Sequence, residues 1–180
     1  MKRLFVALDM PDAARHWLIQ HQPEAEEGLR LVREDQLHLT LAFIGEAELE
    51  SVKEALAPIR FEPLHLRLSG LGYFQGRQGA SVFWAGFEPS PSLQDLHRRI
   101  GEALKPLGVK KDRRPYRPHI TLARSKTSPS ARLKRWLQNG RSIVGPSFEV
   151  NRWTLYSSIL QPSGPIYTRE ALGMGYCDGN

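Results

Sequence analysis

Apolar and polar residues alternate with a period of two in some stretches of this chain and recur every three to four residues in others. The first pattern is that of a half-buried strand, the second of an amphipathic helix. Residues 3–8 read as a strand, and Asp9-Met10-Pro11-Asp12 as a helix entry with proline in the first turn. Ala14, Trp17 and Leu18 then give a short apolar face, broken between Pro23 and Gly28. A strand is expected over 37–44. Leu49, Val52, Leu56 and Ile59 follow at helical spacing. Residues 64–73 alternate again, Gly76-Arg77-Gln78-Gly79 reads as a turn, and 81–87 as a buried strand. Ser90-Pro91 is a helix start, with Leu93, Leu96, Ile100, Leu104 and Leu107 on one face and Gly108 as the stop. Residues 110–118 form a basic loop. A further strand begins at His119, and Ser128-Pro129 opens a helix that Asn139-Gly140 closes. Strands over 148–157 and 166–174 complete the chain.

The order of these elements repeats. Residues 3–74 run strand, helix, strand, helix, strand, and residues 81–158 do the same. The middle strand of each unit opens with a near-identical tetrapeptide: His38-Leu39-Thr40-Leu41 and His119-Ile120-Thr121-Leu122, 81 residues apart. Residues two apart on a strand share a face. Each copy therefore sets a His beside a Thr and sends two aliphatics the other way. The expected architecture is α+β, with two lobes related by a pseudo-twofold axis. Each lobe is an antiparallel sheet with helices on its outer side, and a cleft runs between them. The 180 residues and a hydrophobic content of 41% suit a single domain, 1–180, built of the lobes 3–74 and 81–158 with a C-terminal strand 166–174.

Composition narrows the class. No run of 18 apolar residues occurs, so no membrane span is expected. The first residues are apolar over too short a stretch for a signal peptide. The lone Cys177 supports neither a disulfide framework nor a cysteine metal site. A cytoplasmic monomer is the simplest expectation. Net charge is +6, but Arg98 to Arg141 holds fourteen Lys and Arg against two acids, which leaves the remainder acidic. That asymmetry fits an anionic partner such as nucleic acid, or a solvated basic surface.

If the two motifs converge, the cleft holds two imidazoles and two hydroxyls. At neutral pH one imidazole can be neutral and accept a proton while the other is charged and donates one. The threonine hydroxyls can donate to the non-bridging oxygens of a phosphate. In-line displacement at phosphorus is the natural reaction, most easily on a strained cyclic ester. His-x-Thr is not a metal-ligand spacing, and no metal or cofactor is expected. Arg124, five residues after His119, has the fork that grips phosphate, but strict alternation puts it on the face opposite His119. Phe43 occupies the matching place after His38; it is a stacking candidate or a core residue. His16, His21, His65 and His97 read as solvent-facing. Trp17, Trp84, Trp136 and Trp153 read as core.

The stretches 38–45 (His-Leu-Thr-Leu-Ala-Phe-Ile-Gly) and 119–124 (His-Ile-Thr-Leu-Ala-Arg) resemble the paired signatures of the 2H phosphoesterase superfamily. Within it the chain is similar to the bacterial RNA 2′,3′-cyclic phosphodiesterases, also called 2′-5′ RNA ligases. The likeness extends to the opening strand, Val82-Phe83-Trp84, Pro118, and Trp153-Thr154-Leu155-Tyr156. It implies metal-independent hydrolysis of RNA 2′,3′-cyclic phosphate ends to 2′-phosphomonoesters. It also implies His38 as proton donor, His119 as proton acceptor, and Thr40, Thr121 and Arg124 as phosphate ligands. The rival readings are a non-catalytic RNA-binding module and a related enzyme acting on a small cyclic nucleotide.

Overall fold

In the computed structural model, which describes residues 1–110 and 114–176, the hydrophobic periodicities become nine strands and four helices. In chain order they are β1 (Lys2–Asp9), α1 (Asp12–Gln20), β2 (Leu29–Leu31), β3 (His38–Ala47), α2 (Leu49–Leu56), β4 (Leu64–Gln75), β5 (Ser81–Phe87), α3 (Pro91–Leu104), β6 (His119–Ser125), α4 (Ala131–Gly140), β7 (Val144–Val150), β8 (Arg152–Gln161) and β9 (Gly164–Met174). None of the described helices is long and apolar enough to cross a membrane.

Short side-chain caps explain where the later helices begin. The Ser90 hydroxyl accepts from the Leu93 amide, and Pro91 follows in the first turn, where no amide hydrogen is needed. The helix expected to open at Ser128 opens two residues later. Ser130 has the extended backbone of a cap, and its hydroxyl accepts from the Leu133 amide at 3.1 Å. In α3 the stripe Leu93, Leu96, Ile100 and Leu104 is fully buried.

All strands pair antiparallel, in the order β7-β4-β5-β6-β3-β1-β8-β9, and β2 pairs with β6 beside β3. The two motif strands are therefore neighbours at the centre of the order. Element order in the two repeats matches β1-α1-β3-α2-β4 with β5-α3-β6-α4-β8. The last strand of each crosses over: β4 pairs with β5, and β8 pairs with β1. The stretch expected as one strand over 148–157 is two. Asn151 separates β7 from β8, and its carbonyl accepts from the Gly175 amide instead of joining a ladder. Strands joined by one residue yet placed in opposite halves of the order require the sheet to curl.

The curl gives the sheet two different faces. Leu4, Val6, Leu8, Leu39, Leu41, Ile120 and Leu122 point to the convex face and pack with Leu18, Val52, Leu56, Leu93 and Ile100 of the helices. Burying each leucine contributes about 2 kcal/mol. A one-residue slip of β3 would expose Leu39 and Leu41 and drive His38 and Thr40 into the core, so hydrophobic burial sets the register of the motif. The other face carries Phe5, Ala7 and Tyr156 and is left to the cleft.

Candidate active site

The two motif strands meet at one backbone pair, Leu39 with Ile120. Continued one residue each way, that antiparallel register sets His38 across from Thr121 and Thr40 across from His119, all on the concave face. Beyond the seam the strands part. β2 takes the place of β3 alongside β6, and Gln22 donates to the carbonyls of Val32 and Leu122 where the exchange occurs. The strand β2 was not legible in the sequence, because three residues are too few to show a period.

Both motif strands are bulged, and the bulges decide which side chains join the site. On β6, Phe83 pairs with Ala123 but Trp84 pairs with Thr121, so Leu122 is the extra residue. Val82 then stands opposite Arg124. Val82 and Trp84 share a face of β5, and so Arg124 shares the face of Thr121 and His119. The alternation that placed Arg124 on the far side fails at Leu122. The strand β3 does the same: Val6 pairs with Ala42 and Ala7 with Thr40, with Leu41 the extra residue, and Phe43 pairs with Phe5 on the concave side. Phe43 is 55% exposed, which rules out the core alternative, and the Arg3 guanidinium lies 5.0 Å from its ring centre.

The two histidines are held identically. The Nδ1 of His38 lies 2.7 Å from the Gln36 carbonyl, and the Nδ1 of His119 lies 2.7 Å from the Arg117 carbonyl. A carbonyl only accepts, so each Nδ1 carries the hydrogen and donates it. In both rings Nε2 is left as the atom for chemistry: a lone pair when the ring is neutral, an N–H when it is charged. Burial is the main cause that pulls both pKa values below the ordinary imidazole value, opposed in each ring by its carbonyl bond. The positive charge of Arg124 pushes both the same way.

The surroundings differ. His38 has Phe5 at 5.1 Å and Tyr167 edge-on at 5.5 Å between ring centres. Its cross-strand partner is Asp9, whose charge raises the His38 pKa. Asp9 accepts from the hydroxyls of Tyr156 and Thr154 and lies 3.5 Å from Arg169. His119 instead has Phe74 edge-on at 4.9 Å and Trp84 at 6.3 Å, and among the described residues no carboxylate shifts its pKa. Contrary to the sequence expectation, Trp84 lies outside the core. Its six-membered ring occupies the space where a Cβ at Gly72 would stand, 2.3 Å from the nearest ring carbon, so only glycine fits beneath it. Cavities of about 440 and 460 Å³ adjoin the indole.

The remaining expectations divide. His16 and His65 are exposed. His97 and His21 are half-buried and structural. His97 stacks on Tyr116 at 3.8 Å and donates to the Leu41 carbonyl, while His21 stacks on Trp17. Tyr116 donates to the Thr40 carbonyl, so the loop entering the second motif is tied to the strand of the first. Residues 111–113 of that basic loop, and Cys177, lie outside the described residues. Sequence reasoning missed Asp9, Tyr167 and Arg30. Asp9 carried a signal, an acid ending a buried strand, but it was absorbed into the helix entry. Arg30 and Tyr167 approach Arg124 through the tertiary fold alone. Among the described residues no group of three or more His, Cys, Asp or Glu is placed to hold a metal.

Known proteins share this arrangement of sequence and fold. The chain is 33% identical over 168 residues to the RNA 2′,3′-cyclic phosphodiesterase of Methanocaldococcus jannaschii, covering 92% of this chain and 96% of that one. It is 33% identical over 179 residues to the protein of that name from Escherichia coli, covering 93% of each. The crystal structure of E. coli LigT complexed with 3′-AMP superposes with a TM-score of 0.77 at 28% identity, over 96% of this chain and 97% of that one. TT0787 of Thermus thermophilus superposes equally well, at 31% identity and the same coverage. Residues 10–160 match the model of the 2′-5′ RNA ligase superfamily, and with a curled antiparallel sheet that carries both His-x-Thr strands at its centre, the chain belongs to that superfamily.

Proposed function

We propose that the protein is a metal-independent phosphodiesterase that opens RNA 2′,3′-cyclic phosphate ends to 2′-phosphomonoesters. The observation that carries this reading is the matched pair of Nδ1–carbonyl bonds, which leaves two Nε2 atoms on one face flanked by Thr40, Thr121 and Arg124. The relatives' shared name supports the choice of substrate.

In this mechanism the Nε2 lone pair of His119 takes a proton from water as its oxygen attacks phosphorus. The bond from phosphorus to the 3′ oxygen breaks, and the protonated Nε2 of His38 delivers its proton to that oxygen. The products are a 2′-phosphate and a 3′-hydroxyl, and the two rings end with exchanged charge states. Asp9 supports this division of labour. It raises the pKa of His38 alone, and an acid must stay charged at the pH where its partner base is neutral. Thr40, Thr121 and Arg124 hold the non-bridging oxygens, where charge grows in the transition state. Phe43 receives a base by stacking. A 5′-hydroxyl in the place of water would join two RNA ends through a 2′-5′ bond with the same proton transfers.

The test is turnover of an RNA oligonucleotide ending in a 2′,3′-cyclic phosphate, in EDTA, with 2′- and 3′-phosphate products resolved. Formation of the 2′-phosphate is the expected result. Binding without turnover would instead make the protein an RNA-binding module, and turnover only of small cyclic nucleotides would place it with another substrate.

A further inference from the structure

Two arginines face each other across the β2–β6 pair: Arg30 stands directly opposite Arg124. Directly opposed residues of an antiparallel pair share a face with Cβ atoms about 5 Å apart, and like charges so placed repel. Burial and the Arg30 charge both bear on Arg124, lowering its pKa. Among the described residues no carboxylate lies within ion-pair distance of Arg30, Arg124 or Arg3. All three cations act on one phenol, Tyr167, which itself packs edge-on against His38. Among the described residues the fold thus sets two cations, Arg30 and Arg124, face to face with no ion-paired carboxylate, and that arrangement costs stability unless an anion occupies it.

One anion is assigned already: Arg124 acts on both imidazoles and belongs to the reacting phosphate. Arg30 acts on neither ring. It is exposed on the far strand, one step out from the reaction centre. A cyclic phosphate end supplies a second anion at that range, because the same nucleoside carries a 5′ phosphate on the other side of its ribose.

We propose that Arg30 forms a second phosphate subsite, for the 5′ phosphate of the nucleotide that bears the cyclic end. This rests on the phosphodiesterase reading above and deepens it. The enzyme then distinguishes the end of an RNA chain from a free nucleoside cyclic phosphate by charge, before any base is read. Guanidinium suits the task, since its fork matches two phosphate oxygens.

The probes are adenosine 2′,3′-cyclic phosphate with and without a 5′ phosphate, and the quantity read is the ratio of their kcat/KM values. The wild-type ratio is expected to favour the 5′-phosphorylated probe by roughly tenfold or more, the worth of one charge-assisted contact. In Arg30→Gln the ratio falls toward one, mainly through KM. Arg30→Lys keeps part of it. Arg135→Gln, which removes the same charge from an exposed position on α4, leaves it unchanged. A wild-type ratio near one, or equal losses in Arg30→Gln and Arg135→Gln, overturns the subsite. If the wild type hydrolyses neither probe nor the oligonucleotide above, the phosphodiesterase reading itself falls.

Discussion

The half of the cleft around His38 and the half around His119 use one backbone device and two environments. Each ring donates from Nδ1 to the carbonyl two residues before it. Around His38, however, β1, β8 and β9 contribute Phe5, Tyr156, Tyr167 and a carboxylate, Asp9. Around His119, β4 and β5 contribute Phe74 and Trp84, with cavities beside the indole and, among the described residues, no acid that shifts its pKa. The device that orients the imidazole is the same in both halves, and the groups that set its proton affinity differ. The proposed reaction needs one ring as acid and the other as base, and Asp9, paired across the strands with His38, is the charged group by which the two described surroundings differ.

The largest effects are expected at the histidines. His38→Ala and His119→Ala are each expected to lower kcat by on the order of 10²–10⁴-fold with the fold intact by circular dichroism, since each removes one proton transfer. Retention of most activity by either would end the two-histidine mechanism. Arg124→Gln should lower kcat by about 10²-fold, the cost of losing one preplaced donor to developing charge. Asp9→Asn is expected to act on one half of the cleft only. Without the carboxylate the His38 pKa falls, so the alkaline limb of the bell-shaped rate profile moves to lower pH while the acid limb, set by His119, stays. Movement of both limbs together would show that Asp9 acts on the whole cleft. Phe43→Ala should raise KM for oligonucleotides about tenfold, with kcat little changed.

A last prediction concerns stability. Both imidazoles have folded-state pKa values below the ordinary 6.5, so on acidification the unfolded chain binds their protons first. Stability is therefore full above about pH 6.5 and declines as pH falls through the interval down to the folded values. Urea unfolding of a His38→Gln, His119→Gln double variant should show a smaller loss than the wild type between about pH 7.5 and about pH 5. Equal losses would mean that burial of the rings carries no titration cost.

Much of this was legible in the chain, and the illegible parts share a cause. Helix stripes such as Leu93, Leu96, Ile100 and Leu104 are local patterns, and they folded as their spacing implied. The His-x-Thr copies were visible because a strand's faces follow from alternation. Alternation alone left the faces of Arg124 and Phe43 undecided because a bulge is a property of two strands, and one strand's sequence does not announce it. Trp84 read as core because a large aromatic usually is. Its place on the concave face depends on Gly72, twelve residues earlier and on another strand.

By itself the sequence determined the α+β class, the repeated element order, the two histidines with their threonines, and the polarity of each strand. These follow from side-chain periodicity and from chain order, which are local. Tertiary structure decided the crossing of β4 and β8, the bulges that turn Phe43 and Arg124 into the cleft, the approach of Asp9 to His38, and the facing of Arg30 and Arg124. Apart from the β4–β5 hairpin, these are pairings between residues from 29 to 153 positions apart in the chain. Only the burial of the shared core, which sets every register at once, brings such pairs into contact.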